Sequence, residues 1–413
     1  MGSVKDLITD GLAGQLYIPP EPHKFGRGAW RVSGRFSVAD LKHLLPEVEI
    51  PGKNFILAMT AARYWENAAE QGIKSCYLGM MDKDGDIVGT QTLLDRGELS
   101  DVIVMELANT PKGKKDEDIR AYHQAIQNKD ITVYVADAES IFRLGFPLGS
   151  SVFKGIFKRT GRAEIYETLA TYEETAGGLD TIRRDVQERG IETFSGLKDY
   201  LAGFHLECIP NPGHVLSEPV YDFTTKFAIG GDVAITPEET RVRMGLNEEG
   251  YGVWKEMVKA CASHQIRYCE KNGIVNIDGK VEAVVVENRT KFADFGCTVD
   301  ENRLMIRYEQ GGVVYLIPSN KEIQRALFRA NGVYTAVDRA KGEYGDGWHD
   351  HFFEFFDKKK LEKTAVQSCE MMGHAIGTVG NLLLGKNVFS AKPVSEWVAP
   401  FLPYASRVQD KVV

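Results

Sequence analysis

Charged and apolar positions alternate through residues 277–286. Asp278, Lys280 and Glu282 fall at period two, with Val281, Val284, Val285 and Val286 among and after them. This spacing predicts a strand with one charged face and one apolar face. A second strand-like run follows, then Asp294, Asp300 and Arg303. Helical periodicity over 54–71 predicts an amphipathic helix, and 73–81, 101–107 and 131–136 read as strands separated by charged turns. Residues 112–118 read as a solvated charge run, and 161–203 as charged and helical. Thr236-Pro237-Glu238-Glu239 has the signature of a capping box with proline at the first helical position. It predicts one helix running to about Lys271 and stopping at Asn272-Gly273. Two or more helices are expected beyond residue 320. The pattern divides into a β-rich N-terminal lobe over 1–137, a central α+β lobe over 138–330 and a C-terminal helical extension over 331–413. There is no βαβ alternation and no Gly-x-Gly-x-x-Gly motif, so the class is α+β with mixed or antiparallel sheets.

Composition narrows the classes. The chain has 413 residues, a net charge of −8, and 43% hydrophobic against 26% charged residues, ordinary values for a globular protein with a sizeable core. Without a basic tail, nucleic acid is not an expected partner. No apolar run reaches the ~20 residues of a membrane span. The N-terminal residues lack the apolar stretch of a signal peptide. Six scattered cysteines without Cys-x-x-Cys predict reduced thiols and a cytoplasmic enzyme. Cys261 and His264 are expected to pack in a helix core. His349 and His351, beside Phe352, Phe353, Phe355 and Phe356, are expected on an amphipathic helix rather than on a metal.

Three further groups could carry chemistry. Arg143 with Gly149-Ser150 offers a guanidinium fork, a hydroxyl and free N–H groups suited to a phosphate monoester, or else a plain turn. Glu218-Pro219 leads to Lys226 and Asp232 in what is otherwise a solvated loop. Arg35-Phe36-Ser37 precedes Asp40, and Ile50-Pro51-Gly52-Lys53 follows. The Asp278/Lys280/Glu282 row is either a solvated surface hairpin or a buried row that needs a ligand or metal to neutralise it.

These elements, in this order, resemble the SAICAR synthetase family. Its members carry Asp-x-Lys-x-Glu, then Asp-Glu…(Ser/Thr)-Pro-Asp-x-x-Arg; here the residues are Asp278, Lys280, Glu282, Asp294, Thr298, Asp300 and Arg303. Glu139 and Arg143 match Glu-x-(Ile/Val)-x-Arg, and Glu218-Pro219 through Lys226 matches Glu-Pro-x-x-x-x-x-x-Lys. The resemblance covers about three-quarters of the chain. It implies a two-lobed fold with an ATP-grasp-like cleft, here with extra C-terminal helices. The implied activity is an ATP-dependent carboxylate–amine ligase acting on a 5-aminoimidazole carboxylate ribotide, with aspartate as the amine. Implied roles are Ser37, Arg143, Ser150, Asp278 and Arg303 on the ribotide, and Lys280, Glu282 and Asp300 in catalysis. Lys226 would contact ATP, and Asp232 and Asp294 would hold Mg²⁺. A homo-oligomer is compatible with the family. The sequence also departs from it. Leu12 and Gly14 stand where it keeps phosphate-gripping cations, leaving Lys24 or Arg27 as replacements, and Phe295 stands where it keeps a carboxylate. The resemblance therefore also implies an alternative. This is a related enzyme of purine-type nucleoside biosynthesis, of the coformycin and pentostatin kind, that closes or rearranges a ring without ATP. A third reading is a ribotide-binding protein without catalysis.

Overall fold

A computed structural model describes residues 17–36, 44, 48–113, 115–145, 215–228, 233, 235–320 and 322–407. The site expectations for Ser37, Ser150 and Asp232, the helical reading of 161–203, and Leu12 and Gly14 lie outside these residues. Arg143 is described in its backbone only.

The first sheet has four antiparallel strands in the order β1 (Gly26–Arg31), β6 (Val102–Leu107), β4 (Tyr77–Met81) and β5 (Ile87–Val88). A short ribbon, β2 (Arg35–Phe36) with β3 (Val48–Glu49), leads into helix α1 (Lys53–Glu70). Gly52, the residue that opens α1, sits at φ +76°, a left-handed conformation that glycine adopts without Cβ strain. The helix expected to be amphipathic is instead buried on all sides along 56–62, with Ile56, Tyr64 and Trp65 in the main core. Helices α2 (Thr90–Arg96) and α3 (Asp116–Gln127) flank this part; the run at 112–118 opens α3 with Asp116, Glu117 and Asp118 in its first turn, where carboxylates favour the helix dipole.

The second sheet is the larger. Its order is β13 (Ser406–Arg407), β12 (Val313–Pro318), β11 (Asn302–Gln310), β9 (Ile274–Val286), β7 (Val133–Gly145) and β8 (Val215–Thr224), with β10 (Arg289–Ala293) also paired to β9. Every pairing between these strands is antiparallel. The strand expected at 131–136 thus runs on to Gly145, and the expected lobe boundary at 137 falls inside β7. Strands β9 and β10 form a tight hairpin whose turn residues, Glu287 and Asn288, have φ of +46° and +66°.

The single helix expected from Thr236 to Lys271 is two helices, α4 (Pro237–Arg243) and α5 (Glu248–Lys271). The capping box forms as expected: Glu239 N–H donates to Thr236 Oγ1 at 3.2 Å and Thr236 N–H to Glu239 Oε2 at 2.8 Å. The chain breaks at Gly245 (φ +64°), where a Cβ would meet the Tyr134 hydroxyl at 2.6 Å. Asn247 then caps α5, accepting from Gly250 N–H at 2.8 Å. Helix α5 lies on β9, and helices α6 (Glu322–Ala330), α7 (Val333–Tyr344), α8 (Trp348–His351), α9 (Lys358–Leu384) and α10 (Val394–Trp397) follow, with α9 packed on α1. Cys261 and His264 are buried on α5 as core residues, the thiol against the Tyr64 hydroxyl at 3.3 Å. His351 stacks on Tyr344 and pairs with Glu354 at 2.7 Å. Cys76, Cys261, Cys269, Cys297 and Cys369 are free thiols. No helix among the described residues is long and apolar enough to cross a membrane.

Candidate functional site

The charged alternation becomes a row across three strands. Pairing places Glu139 opposite Glu282, Ile141 opposite Lys280 and Arg143 opposite Asp278, and on the other side Arg303 opposite Asp278. Directly paired residues project to the same face of a sheet. The solvated-hairpin reading is set aside by burial, with Asp278 4%, Glu282 3% and Glu139 3% exposed.

Lys280 is the centre. Its Nζ lies 3.2 Å from Glu139 Oε1, 3.1 Å from Glu282 Oε1 and 3.2 Å from Glu301 Oε2. Lys226, brought in by the turn after β8, donates to Glu282 Oε2 and lies 3.8 Å from Glu139 Oε1. Burial alone would lower the pKa of both ammoniums, but the surrounding carboxylates outweigh it and hold both above their ordinary values. Glu282 goes the other way. Burial pushes it up, yet Lys226 and Lys280 bring it well below the carboxylate range. Burial, then the neighbouring Glu282, push Glu139 up to about 7.

Asp294 occupies a strained turn after β10, with φ +66°. Its carbonyl accepts from Trp65 Nε1 at 3.0 Å, and its Oδ1 accepts from Phe295 N–H at 2.9 Å. Gly296 lies so close under Tyr64 and Trp65 that a Cβ would meet them at 2.9 Å and 2.6 Å. Burial, then Glu282 and Glu301, raise the Asp294 carboxyl well above its usual range. Glu301 is raised as well, by burial and Glu282, with Lys280 opposing.

The ribotide and catalytic candidates divide. Asp278 accepts from Arg303 N–H at 3.1 Å and pairs with its guanidinium. Arg303 Nε also lies 3.6 Å from Glu322 Oε1, which is held in turn by Arg325 at 2.6 Å. Arg303 therefore has two carboxylate partners, Asp278 and Glu322. Asp300 stands apart from the Lys280 cluster's centre: it is half-exposed and pairs with the buried Lys53 at 2.8 Å. Lys24 pairs with Glu21 in an exposed turn, and Arg27 is exposed on β1. Glu301, Glu322 and the Lys53–Asp300 pair were not singled out from the sequence. Only adjacency to Asp300 and Arg303 could have signalled Glu301, since its approach to Lys280 depends on the turn before β11.

The residues 167–336 match the family model for SAICAR synthetase. Over 352 residues, 85% of each chain, the sequence is 26% identical to an Archaeoglobus fulgidus protein named "Putative phosphoribosylaminoimidazole-succinocarboxamide synthase". Over these residues the chain is similar to the SAICAR synthetases. Solved SAICAR synthetases that it resembles include the Saccharomyces cerevisiae enzyme complexed with SAICAR, at 13% identity and a TM-score of 0.47, covering 92% of this chain and 97% of that one. Another is the Pyrococcus horikoshii enzyme, at 12% identity and a TM-score of 0.42, covering 84% and 96%. A third, a SAICAR synthetase in complex with ADP, is 14% identical with a TM-score of 0.43, covering 75% and 86%. The SAICAR synthetase match spans the Asp278/Lys280/Glu282 strand and both flanking acidic turns.

Proposed function

We propose that the protein is an ATP-dependent ligase that joins the carboxylate of a 5-aminoimidazole carboxylate ribotide to an amine, with aspartate as the amine. The observation that carries this reading is the buried Glu139–Lys280–Glu282–Lys226 cluster, in a chain related to that family. In the reaction the ribotide carboxylate takes the terminal phosphoryl group of ATP, releasing ADP. The amine then attacks the acyl phosphate and phosphate leaves. Such transfers depend on positioning and on cations that neutralise phosphate charge. Lys226 and Lys280 are the ammoniums that would face that charge, and Glu139 and Glu282 keep both protonated and oriented. Arg143 would contact the ribotide phosphate, and Asp300, half-exposed, the amine.

Magnesium fits the charge of the site. Four carboxylates (Glu139, Glu282, Asp294, Glu301) surround two lysines, and Glu139 Oε2 is buried without a hydrogen-bond partner. Among the described residues no three carboxylate, histidine or cysteine side chains converge as a closed cage. Mg²⁺ is usually held by one or two carboxylates together with waters and phosphate oxygens. Glu139 and Asp294 would hold it, with Asp232 as the family resemblance implies. It would supply charge neutralisation on the phosphates.

Phe295 favours a second reading, a related enzyme of purine-type nucleoside biosynthesis that works without ATP. It is an apolar residue packed at the edge of the core where the family keeps a carboxylate. The deciding measurement is ADP release with ribotide, aspartate and ATP–Mg present. ADP stoichiometric with product is expected. Ribotide turnover without ADP would overturn the ligase in favour of the second reading.

A further inference from the structure

Asp137 lies two residues before Glu139, where the register of β7 against β9 shifts between Val135 and Glu139. Its carboxylate is only 1% exposed yet accepts three hydrogen bonds from two parts of the chain and lies beside a third. Oδ1 accepts from the backbone N–H of Lys226 at 3.2 Å and of Phe227 at 2.9 Å. Oδ2 accepts from Arg243 of α4 at 2.7 Å and lies 3.0 Å from His123 Nε2 of α3. A buried anion is costly unless its partners are in place, so the 226–227 backbone is held where those donors meet.

The consequence falls on Lys226. Its ammonium sits on a long, freely rotating stem and is placed by the position of its own backbone. Asp137 grips that backbone at two successive N–H groups, while the ammonium reaches Glu282 and Glu139 on the neighbouring strands. We propose that Asp137 is a positioning residue that fixes the Lys226 turn and thereby seats the Lys226 ammonium between Glu139 and Glu282. Its effect on turnover rests on Lys226 facing the nucleotide, as proposed above; the positioning itself does not.

The test is amine-directed labelling of the full chain with a water-soluble acylating ester, read lysine by lysine through peptide mass spectrometry. The Lys226 side chain is 6% exposed and paired, so it should label slowly in the native protein. Asp137→Ala should raise the Lys226 labelling rate about tenfold, the scale of one lost charge-assisted hydrogen bond, with other lysines unchanged. Asp137→Asn keeps an acceptor for the two N–H groups and should restore most of the protection. Because Asp137→Ala strands Arg243 and could unfold the chain, Asp137→Ala/Arg243→Met removes that cation too, and thermal melting checks that each variant is folded. Unchanged Lys226 protection in folded Asp137→Ala or in folded Asp137→Ala/Arg243→Met overturns the proposal. Calorimetric titration with ATP–Mg then separates the two readings. Faster labelling with weaker nucleotide binding supports both. Faster labelling with unchanged binding upholds the positioning and overturns the nucleotide role of Lys226.

Discussion

Glu139 and Glu282 face each other across two strands and are shifted in opposite directions: burial and the Glu282 charge raise Glu139, while Lys226 and Lys280 bring Glu282 down against its own burial. Glu282→Gln keeps shape and removes the anion that both ammoniums share. If the row acts in catalysis, steady-state assays should show turnover falling by ~10²-fold or more with the fold retained. Glu139 makes a separate pH prediction. Its folded pKa, about 7, lies above the ordinary carboxylate value of 4.5, so its protonated form is the one the fold prefers. Its contribution to stability is present below the unfolded value and is lost as pH rises through about 7. Denaturant titrations of the wild type across this window should carry that loss, and Glu139→Gln, permanently neutral, should flatten the dependence. An unaltered pH profile in the variant would show that Glu139 does not titrate there.

At the scale of elements, the break between α4 and α5 sits at a glycine that is both left-handed and crowded. Gly245 holds a left-handed turn with the Tyr134 hydroxyl and Ile126 where its side chain would be. Gly245→Ala meets both obstacles, so chemical denaturation should show a loss of ~1–3 kcal/mol. A loss of only a few tenths would mean that the turn relaxes freely. The β9–β10 hairpin shows the complementary case, a local pattern that predicts correctly. Alternation placed Asp278, Lys280 and Glu282 on one face, and pairing to β7 and β11 then brought Glu139 and Arg303 opposite them. The bulge between Arg303 and Leu304 accompanies a local change of register next to the Asp278–Arg303 pair.

For the whole molecule, the charged row lies on the large sheet, while the turn carrying Asp294 and Gly296 is pressed against α1. Lys53 at the start of α1 pairs with Asp300 in the same loop segment. A ligand that bridges these parts should stabilise the fold as a unit. ATP–Mg at about 100 times its dissociation constant should add about 2.7 kcal/mol, a melting shift of a few degrees. A shift with ribotide but none with ATP–Mg would point to the ATP-independent reading.

The sequence by itself carried the α+β class, the existence of helix α1, the capping box at Thr236 and the charged alternation of β9. These are short-range features, written in spacing and in residues whose backbone preferences act within a few positions. It also carried the resemblance to the SAICAR synthetases, through the order of its motifs. Tertiary structure decided the rest. It brought Glu139, Lys226 and Glu301 around Lys280 from segments far apart in the chain. It gave Arg303 two carboxylate partners and set Asp300 against Lys53. It also placed Asp137 under the Lys226 turn. Those contacts follow from strand register and burial, which raise or lower a charge's cost only once its partners are in place, and no spacing along the chain encodes them.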